Sequence, residues 1–137
     1  MSLTTLLATA LASLPKHAKL LKAADYNHVF DKPVRSSDRY FTVLARPNKL
    51  LNARLGMAFS KKRVRRAVAR NRLKRISRES FRLVILARQR KQQPGQEKLN
   101  ADYIVLAGAQ CEKASNQQLF HSLEQHWQQL NKKCANL

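Results

Sequence analysis

Residues 60–82 read SKKRVRRAVARNRLKRISRESFR, eleven cations (Lys61, Lys62, Arg63, Arg65, Arg66, Arg70, Arg72, Lys74, Arg75, Arg78 and Arg82) against one acid, Glu79. A solvated helix face ordinarily interleaves acids with its bases at i, i+4, and that compensation is nearly absent here. From Ala67 to Gln89 the apolar spacing is helical: Leu73, Ile76, Ser80, Val84 and Ala87 share one face, flanked by Phe81 and Leu83. Asn71, Arg75, Arg78 and Arg82 follow i, i+4, i+7, i+11 and fall on a stripe about 40° wide on the opposite side. One long helix can therefore bury one flank and present arginine on the other. Lys61 to Arg66 precede the periodicity and are expected on a strand-to-helix turn, where backbone amides of the helix start add to anion binding. Glu79, four residues from Arg75 and three from Arg82, is expected to orient one of these guanidinium groups.

Upstream, Arg54 to Phe59 (RLGMAF) reads as a strand, with Gly56 marking a bulge or a close backbone approach. Tyr40 to Arg46 (YFTVLAR), rich in aromatic and β-branched residues, reads as another. The stretch between them, PNKLLNA, is short enough for a hairpin connection. Ala23, Tyr26, Val29 and Phe30 have the spacing of a short helix over Lys22 to Phe30, which Asp31-Lys32-Pro33 stops. Downstream, Lys91 to Lys98 (KQQPGQEK) is a polar Pro-Gly loop. Asp102 to Ala107 (DYIVLA) is a nearly continuous apolar run, the mark of a strand buried on both faces. Ser115 with Gln118 resembles a capping box, and Leu119, Leu123, Trp127 and Leu130 behind it give an amphipathic terminal helix. The expected fold class is α+β, a small mixed sheet sandwiched with helices in the order α-β-β-β-α-β-α. Residues 1–14 read as an extension, disordered or weakly helical, and 15–137 as a single domain.

The whole chain repeats the imbalance of its basic segment. Its 137 residues carry a formal net charge of +19 with a pI near 11.0, while the 44% hydrophobic content is that of a globular chain. Self-repulsion makes such a charge costly for a compact state, and a polyanion would neutralise it. Nucleic acid leads; an anionic membrane surface is weaker, because the basic helix keeps little bulky apolar surface once its core face is buried. No apolar run approaches the ~20 residues of a membrane span. The short apolar stretch Leu6 to Leu14 lacks the preceding basic region of a signal peptide, so the cytoplasm is the default compartment.

Cys111 and Cys134 form no Cys-x-x-Cys pair, and His17, His28, His121 and His126 are scattered, so no metal-ligand pattern is present and surface histidines are expected. The eight acids, Asp25, Asp31, Asp38, Glu79, Glu97, Asp102, Glu112 and Glu124, show no clustering of the kind a two-metal nuclease needs. No residue is singled out as catalytic.

Ser60-Lys61-Lys62, then Arg70-Asn71-Arg72-Leu73-Lys74-Arg75, then Arg78-Glu79 and Phe81-Arg82, closely resemble the signature of the bacterial ribonuclease P protein family. Lys19-Leu20-Leu21 with Tyr26 and Val29-Phe30 is similar to the family's first helix, Arg54-Leu55-Gly56 to the strand feeding the signature, and Asp102 to Val105 to the later strand. Lys19 and Tyr26 stand where family members commonly carry arginine and phenylalanine. Coverage runs from about Lys19 to Leu130. A ribosomal protein or a DNA-binding protein would share the charge without predicting this signature.

The resemblance implies a left-handed βαβ crossover through the signature helix, and a protein subunit of the ribonucleoprotein that removes the 5′ leader of precursor tRNA. Catalysis would lie on the RNA, with Mg²⁺ held mainly by RNA and substrate, no organic cofactor and no obligate protein partner. Lys61, Lys62, Arg65, Arg66, Arg70, Asn71, Arg72, Lys74, Arg75, Arg78 and Arg82 would contact the catalytic RNA or lie beside it. Substituting Arg70 or Arg72 is accordingly expected to weaken assembly while leaving folding nearly intact. Tyr26, Phe30, Phe41, Val43 and Ser60 would line a cleft for the single-stranded leader, where stacking tolerates any base. Plain core packing remains the alternative for Tyr26, Phe30, Phe41 and Val43.

Overall fold

A computed structural model describes residues 14–90 and 100–137. The polar loop expected over 91–98 lies outside them, as does the expected extension apart from Leu14, which is buried in the core. After a 3-10 turn at Lys16–Ala18, the elements are α1 (Ala23–Asp31), β1 (Val34–Ser37), β2 (Phe41–Pro47), β3 (Arg54–Ala58), α2 (Ala67–Phe81), β4 (Ala101–Ala107) and α3 (Asn116–Ala135). This is the α+β order the sequence led to.

The sheet order is β1-β2-β4-β3. β4 runs antiparallel to β2 and parallel to β3, so β3, α2 and β4 form a βαβ unit. The 47–53 connection is thus not a hairpin: β2 and β3 are separated by β4. The reason is the apolar run itself. Residues Ala101 to Val105 are all buried, and a strand apolar on both sides is most stable in the sheet interior, with a ladder on each edge and cover on each face.

Register divides the strands between two layers. One face carries Phe41, Val43, Ala45, Leu55, Tyr103 and Val105, covered by α2 and α3. The other carries Thr42, Leu44, Ile104, Leu106 and Gly56, and part of it is covered by Tyr26 and Val29 of α1 and by Leu20 just before it. On the first face Phe81, Tyr103 and Trp127 pack edge to face with centroids 5.4–5.9 Å apart. Trp127 Nε1 donates to Ser80 Oγ at 2.8 Å, which explains a serine on the apolar side of α2: a buried indole needs an acceptor. α3 starts with the full Ser115–Gln118 capping box and buries Leu119, Leu123, Trp127 and Leu130 completely.

Two further expectations change. Beyond Phe81 the helix continues through a π-helical turn, Arg82–Leu86, into Ala87–Arg90. The wider turn shifts the inward phase, so Ile85 and Leu86 are buried while Val84 is half-buried and Leu83 exposed. His126 is the second correction: unlike His17, His28 and His121 it is buried, at 3% exposure. Its Nδ1 lies 2.6 Å from Ser36 Oγ, and its Nε2 is 3.2 Å from Asp38 Oδ2 without hydrogen-bond alignment. Asp38 in turn accepts from the Tyr40 and Phe41 amides at 2.8 and 2.9 Å and from Ser122 Oγ at 2.5 Å. This cluster fastens the short β1–β2 hairpin to α3.

Gly56 marks a close approach rather than a bulge. A Cβ there would stand 2.8 Å from Tyr26 Cε1 and 2.9 Å from Leu20 Cδ1, while the Tyr26 hydroxyl accepts from the Met57 amide at 3.3 Å. Gly56→Ala is expected to lower stability by about 1–3 kcal/mol through overpacking, measured as a shift in urea midpoint. Asp38 yields a pH prediction. Partial burial raises its pKa, but the Ser122 hydroxyl, the Phe41 and Tyr40 amides and His126 outweigh that, and the net direction is down from 3.8. A carboxyl depressed in the folded state stabilises above its unfolded pKa and loses that contribution as pH falls through its folded value. Wild-type stability should therefore decline in acid below that range, and the Asp38→Asn curve, determined in denaturant titrations across pH, should lack that component.

Candidate nucleic-acid interface

The basic segment folds into two parts. Residues 60–66 form a tight turn, with the Val64 amide donating to Ser60 O at 2.9 Å and the Arg63 amide to Ser60 Oγ at 3.2 Å. Val64 is fully buried and pins the turn, which leaves Ser60, Lys61, Lys62, Arg63, Arg65 and Arg66 exposed. α2 then begins with no side-chain cap and no acid in its first turn, so its N-terminal amides add to the positive field.

Along α2, Asn71 and Arg75 are exposed and Lys74, Arg78 and Arg82 half-buried, while Leu73 and Ile76 face the core. Among the described residues Lys61, Lys62, Arg63, Arg65, Lys74, Arg75 and Arg78 have no acidic partner within salt-bridge distance, leaving their charge to solvent or ligand. Arg66 stands 4.0 Å from Glu112, an exposed contact of small worth. Glu79 does hold a guanidinium, that of Arg82 at 2.7 Å, but from inside: Glu79 is 1% exposed. A buried carboxylate needs such a partner, so Arg82 is committed within the fold.

Two signature arginines are structural as well. Arg70 Nη1 donates to Val64 O and Arg65 O, both at 2.8 Å, closing the preceding turn. Arg72 donates from Nη2 to Ala114 O at 2.7 Å and to Asn116 Oδ1 at 2.8 Å, from Nε to Asn116 Oδ1 at 3.0 Å, and from Nη1 to Glu112 O at 3.4 Å. The expectation that losing Arg72 leaves folding intact is therefore corrected: its guanidinium supplies donors to a backbone loop. No local pattern signals this contact, because the loop is some forty residues away.

The expected cleft residues separate by face. Phe41 and Val43 are fully buried beneath α2 and α3, so their expected place in a cleft is corrected to the core. Tyr26 is half-buried over Gly56 on the opposite face, and Phe30 is 44% exposed. Beyond the part covered by α1, that opposite face opens into a groove of about 580 Å³ lined by Arg35, Asp38, Thr42, Ala58, Ser60, Arg63, Leu106 and residues 107–109. Ser60 thus belongs to the groove; Thr42, Leu106, Arg35 and Arg63 are lining residues that sequence reasoning missed. Alternation could have assigned Thr42 and Phe41 to opposite faces, but on a strand covered from both sides it could not say which face stays open. α1 itself is moored by cations of this face: Arg54 pairs with Asp102 at 2.7 Å and Asp25 at 3.5 Å, and Arg46 donates to His28 O at 2.7 Å. The Asp102 hydrogen bond, with its charge and that of Asp25, outweighs burial and raises the Arg54 pKa.

Comparison with known proteins gives a consistent picture. A family model described as Ribonuclease P matches residues 14–131. The chain is 41% identical to the "Ribonuclease P protein component" of Methylococcus capsulatus, over 88% of this chain and 87% of the relative. It is 37% identical to the protein of the same description from Vibrio parahaemolyticus, over 85% and 91%. Among solved structures, a Staphylococcus aureus RNase P protein mutant with defective mRNA degradation activity superposes with a TM-score of 0.69 at 27% identity, over 93% of this chain and 96% of that one. The RNase P protein of Thermotoga maritima shares the fold, with a TM-score of 0.63 at 24% identity over 83% and 96%.

Arg72→Ala should lower folding stability by roughly 1–3 kcal/mol, as expected for charge-assisted hydrogen bonds to backbone. Arg75→Ala should stay within about 0.5 kcal/mol of wild type. Thermal and chemical denaturation of the two variants side by side check the contrast.

Proposed function

This chain belongs to the ribonuclease P protein family, the protein component of an endoribonuclease ribonucleoprotein that processes tRNA 5′ ends, and from that premise we infer how its surfaces divide the work. The observation that carries the reading is the segregation of charge and groove. Unpaired cations of the 61–66 turn and the outer side of α2 form one surface, and the open sheet face beside Ser60 forms another.

The first surface binds the ribonuclease P RNA. Lys61, Lys62, Arg65, Arg66, Asn71, Lys74, Arg75 and Arg78 offer donors there, and guanidinium forks match phosphate oxygens in bidentate fashion. Arg70 keeps donors on Nε and Nη2 for the same use, whereas Arg82 contributes through its pairing with Glu79. The second surface takes the single-stranded leader of precursor tRNA. Tyr26 packs on the covered part of the face from α1, and the same helix leaves Phe30 exposed for stacking. Thr42, Leu106 and Ser60 line the groove, and Arg35 and Arg63 supply its cations. Residues 15–137 act as one RNA-binding domain, whose core also takes in Leu14.

The family's holoenzyme is metal-dependent, and this chain's donor set does not fit a resident Mg²⁺. Among the described residues no three His, Cys, Asp or Glu side chains converge, and the buried acids are already engaged, Asp102 by Arg54 and Asn48 and Glu79 by Arg82. The ion belongs with RNA and substrate, and this chain contributes positive charge that lessens phosphate repulsion. No helix among the described residues is long and apolar enough to cross a membrane, and the cytoplasm, where RNA and substrate meet, is the proposed compartment.

Reconstitution with the catalytic RNA tests the reading. Neutralising about six phosphates should cost roughly a thousand-fold in affinity between 50 and 200 mM salt, and a flat response would remove the electrostatic argument. Ala58→Asp, which puts a carboxylate on the exposed groove floor, should weaken binding of leader-bearing precursor several-fold more than binding of leaderless tRNA. Equal losses for both would displace the leader from this groove.

A further inference from the structure

The 61–66 turn is one wall of a second cleft, which adjoins the sheet groove at Arg63 and Ala109. Opposite it stands the β4–α3 connection, and the space between, about 390 Å³, is lined by Lys62, Arg63, Arg65 and Arg66 on one side and Cys111, Glu112 and Lys113 on the other. Five cations therefore face one acid, and Glu112 is drawn only to Arg66 at 4.0 Å. Buried anchors fix each wall at its base, Val64 under the turn and Cys111 and Ala114 under the connection.

What holds the walls at a set separation is the helix between them. Arg70 donates to the carbonyls of Val64 and Arg65 in the first wall. Two residues on, Arg72 donates to the carbonyls of Glu112 and Ala114 and to the Asn116 side chain, which brackets Lys113 in the second. Both guanidinium groups project from the first turns of α2, a rigid element. Lys113 itself is exposed and has no acidic partner among the described residues.

We propose that this cleft seats a phosphodiester segment of the ribonuclease P RNA, with Lys113 as a direct contact from the second wall and Arg72 as the positioning residue that holds that wall. The proposal rests on the preceding reading that the basic surface binds RNA, and adds to it a wall outside the signature. A strand between the walls meets cations from both sides, so its phosphates are neutralised more fully than on a one-sided surface, and the fixed separation leaves less side-chain freedom to be lost on binding.

The test is a double-mutant cycle on the full chain. Affinity for the ribonuclease P RNA is measured across a salt series for wild type, Lys113→Ala, Arg72→Ala and the double variant, with Arg75→Ala as a control for the signature helix. Lys113→Ala should melt like wild type, bind several-fold more weakly and lower the slope of log affinity against log salt by about one. With the wall released by Arg72→Ala, the further loss of Lys113 should matter much less. If Arg72→Ala does not fold, Asn116→Ala takes its place in the cycle, since Asn116 Oδ1 accepts two of the Arg72 bonds. Glu112→Gln, which removes the acid that would face a phosphate, should tighten binding. Wild-type affinity and slope in Lys113→Ala, or strictly additive losses, would overturn the cleft while a weakened Arg75→Ala kept the RNA-binding reading intact. A salt-independent wild type would sink both.

Discussion

The fold depends on one constraint: the β4 strand has apolar side chains on both of its faces and must therefore be roofed from both. Its seat between β2 and β3 follows, with an antiparallel ladder on one edge and a parallel ladder on the other. A parallel neighbour requires a crossover, and the crossover is α2. The helix that carries the outer stripe of uncompensated cations, Lys74, Arg75 and Arg78, and continues from the turn that carries Lys61, Lys62, Arg63 and Arg65, is thus also the connection that lets the central strand be central. Its inner flank supplies Leu73, Ile76 and Phe81 to the layer around Trp127, so the arginines are mounted on a core element rather than a loop.

Repulsion among the cations is managed locally. Where a guanidinium lies near protein carbonyls or a buried carboxylate, as for Arg70, Arg72, Arg54 and Arg82, it is engaged inside the molecule. Where it cannot be, it points outward and collects with its neighbours on the turn and the outer stripe. The sorting leaves a surface whose charge has no internal use, and RNA is the partner that makes the compact state comfortable. It also separates groups that hold the shape of the interface from groups that meet the ligand, although they alternate within six residues of sequence.

Much of this was legible beforehand. The terminal helix announces itself in Ser115, Gln118 and the 4, 4, 3 spacing that ends at Leu130, because a cap and one apolar stripe are local properties. The signature turn and helix were legible for the same reason, as was the doubly buried character of 102–107. His126 could have been placed too: it is seven residues beyond Leu119 and three beyond Leu123, on the buried stripe. What was hidden depends on contacts between distant segments. The expected order held a third early strand that could not be placed, because Val34–Ser37 is too short and polar to stand out; it forms because it pairs with β2 and is braced by His126 and by Lys133 on the Arg35 carbonyl. The inward shift at Ile85 and Leu86 reflects a hydrogen-bond pattern no apolar period encodes. The exchange of Phe41 and Val43 for Thr42 and Leu106 follows from which side of the sheet α1 happens to leave open.

The aromatic layer has a practical corollary. Trp127 is the only tryptophan of the chain; it is fully buried, bonded to Ser80, and separated by the sheet from the open groove. Its ultraviolet emission should therefore report the integrity of the core without being quenched by stacked nucleobases. The molecule carries its own optical gauge of folding, readable while RNA is bound, and a ligand-dependent change in that emission would signal a rearrangement transmitted through the sheet rather than contact at its surface.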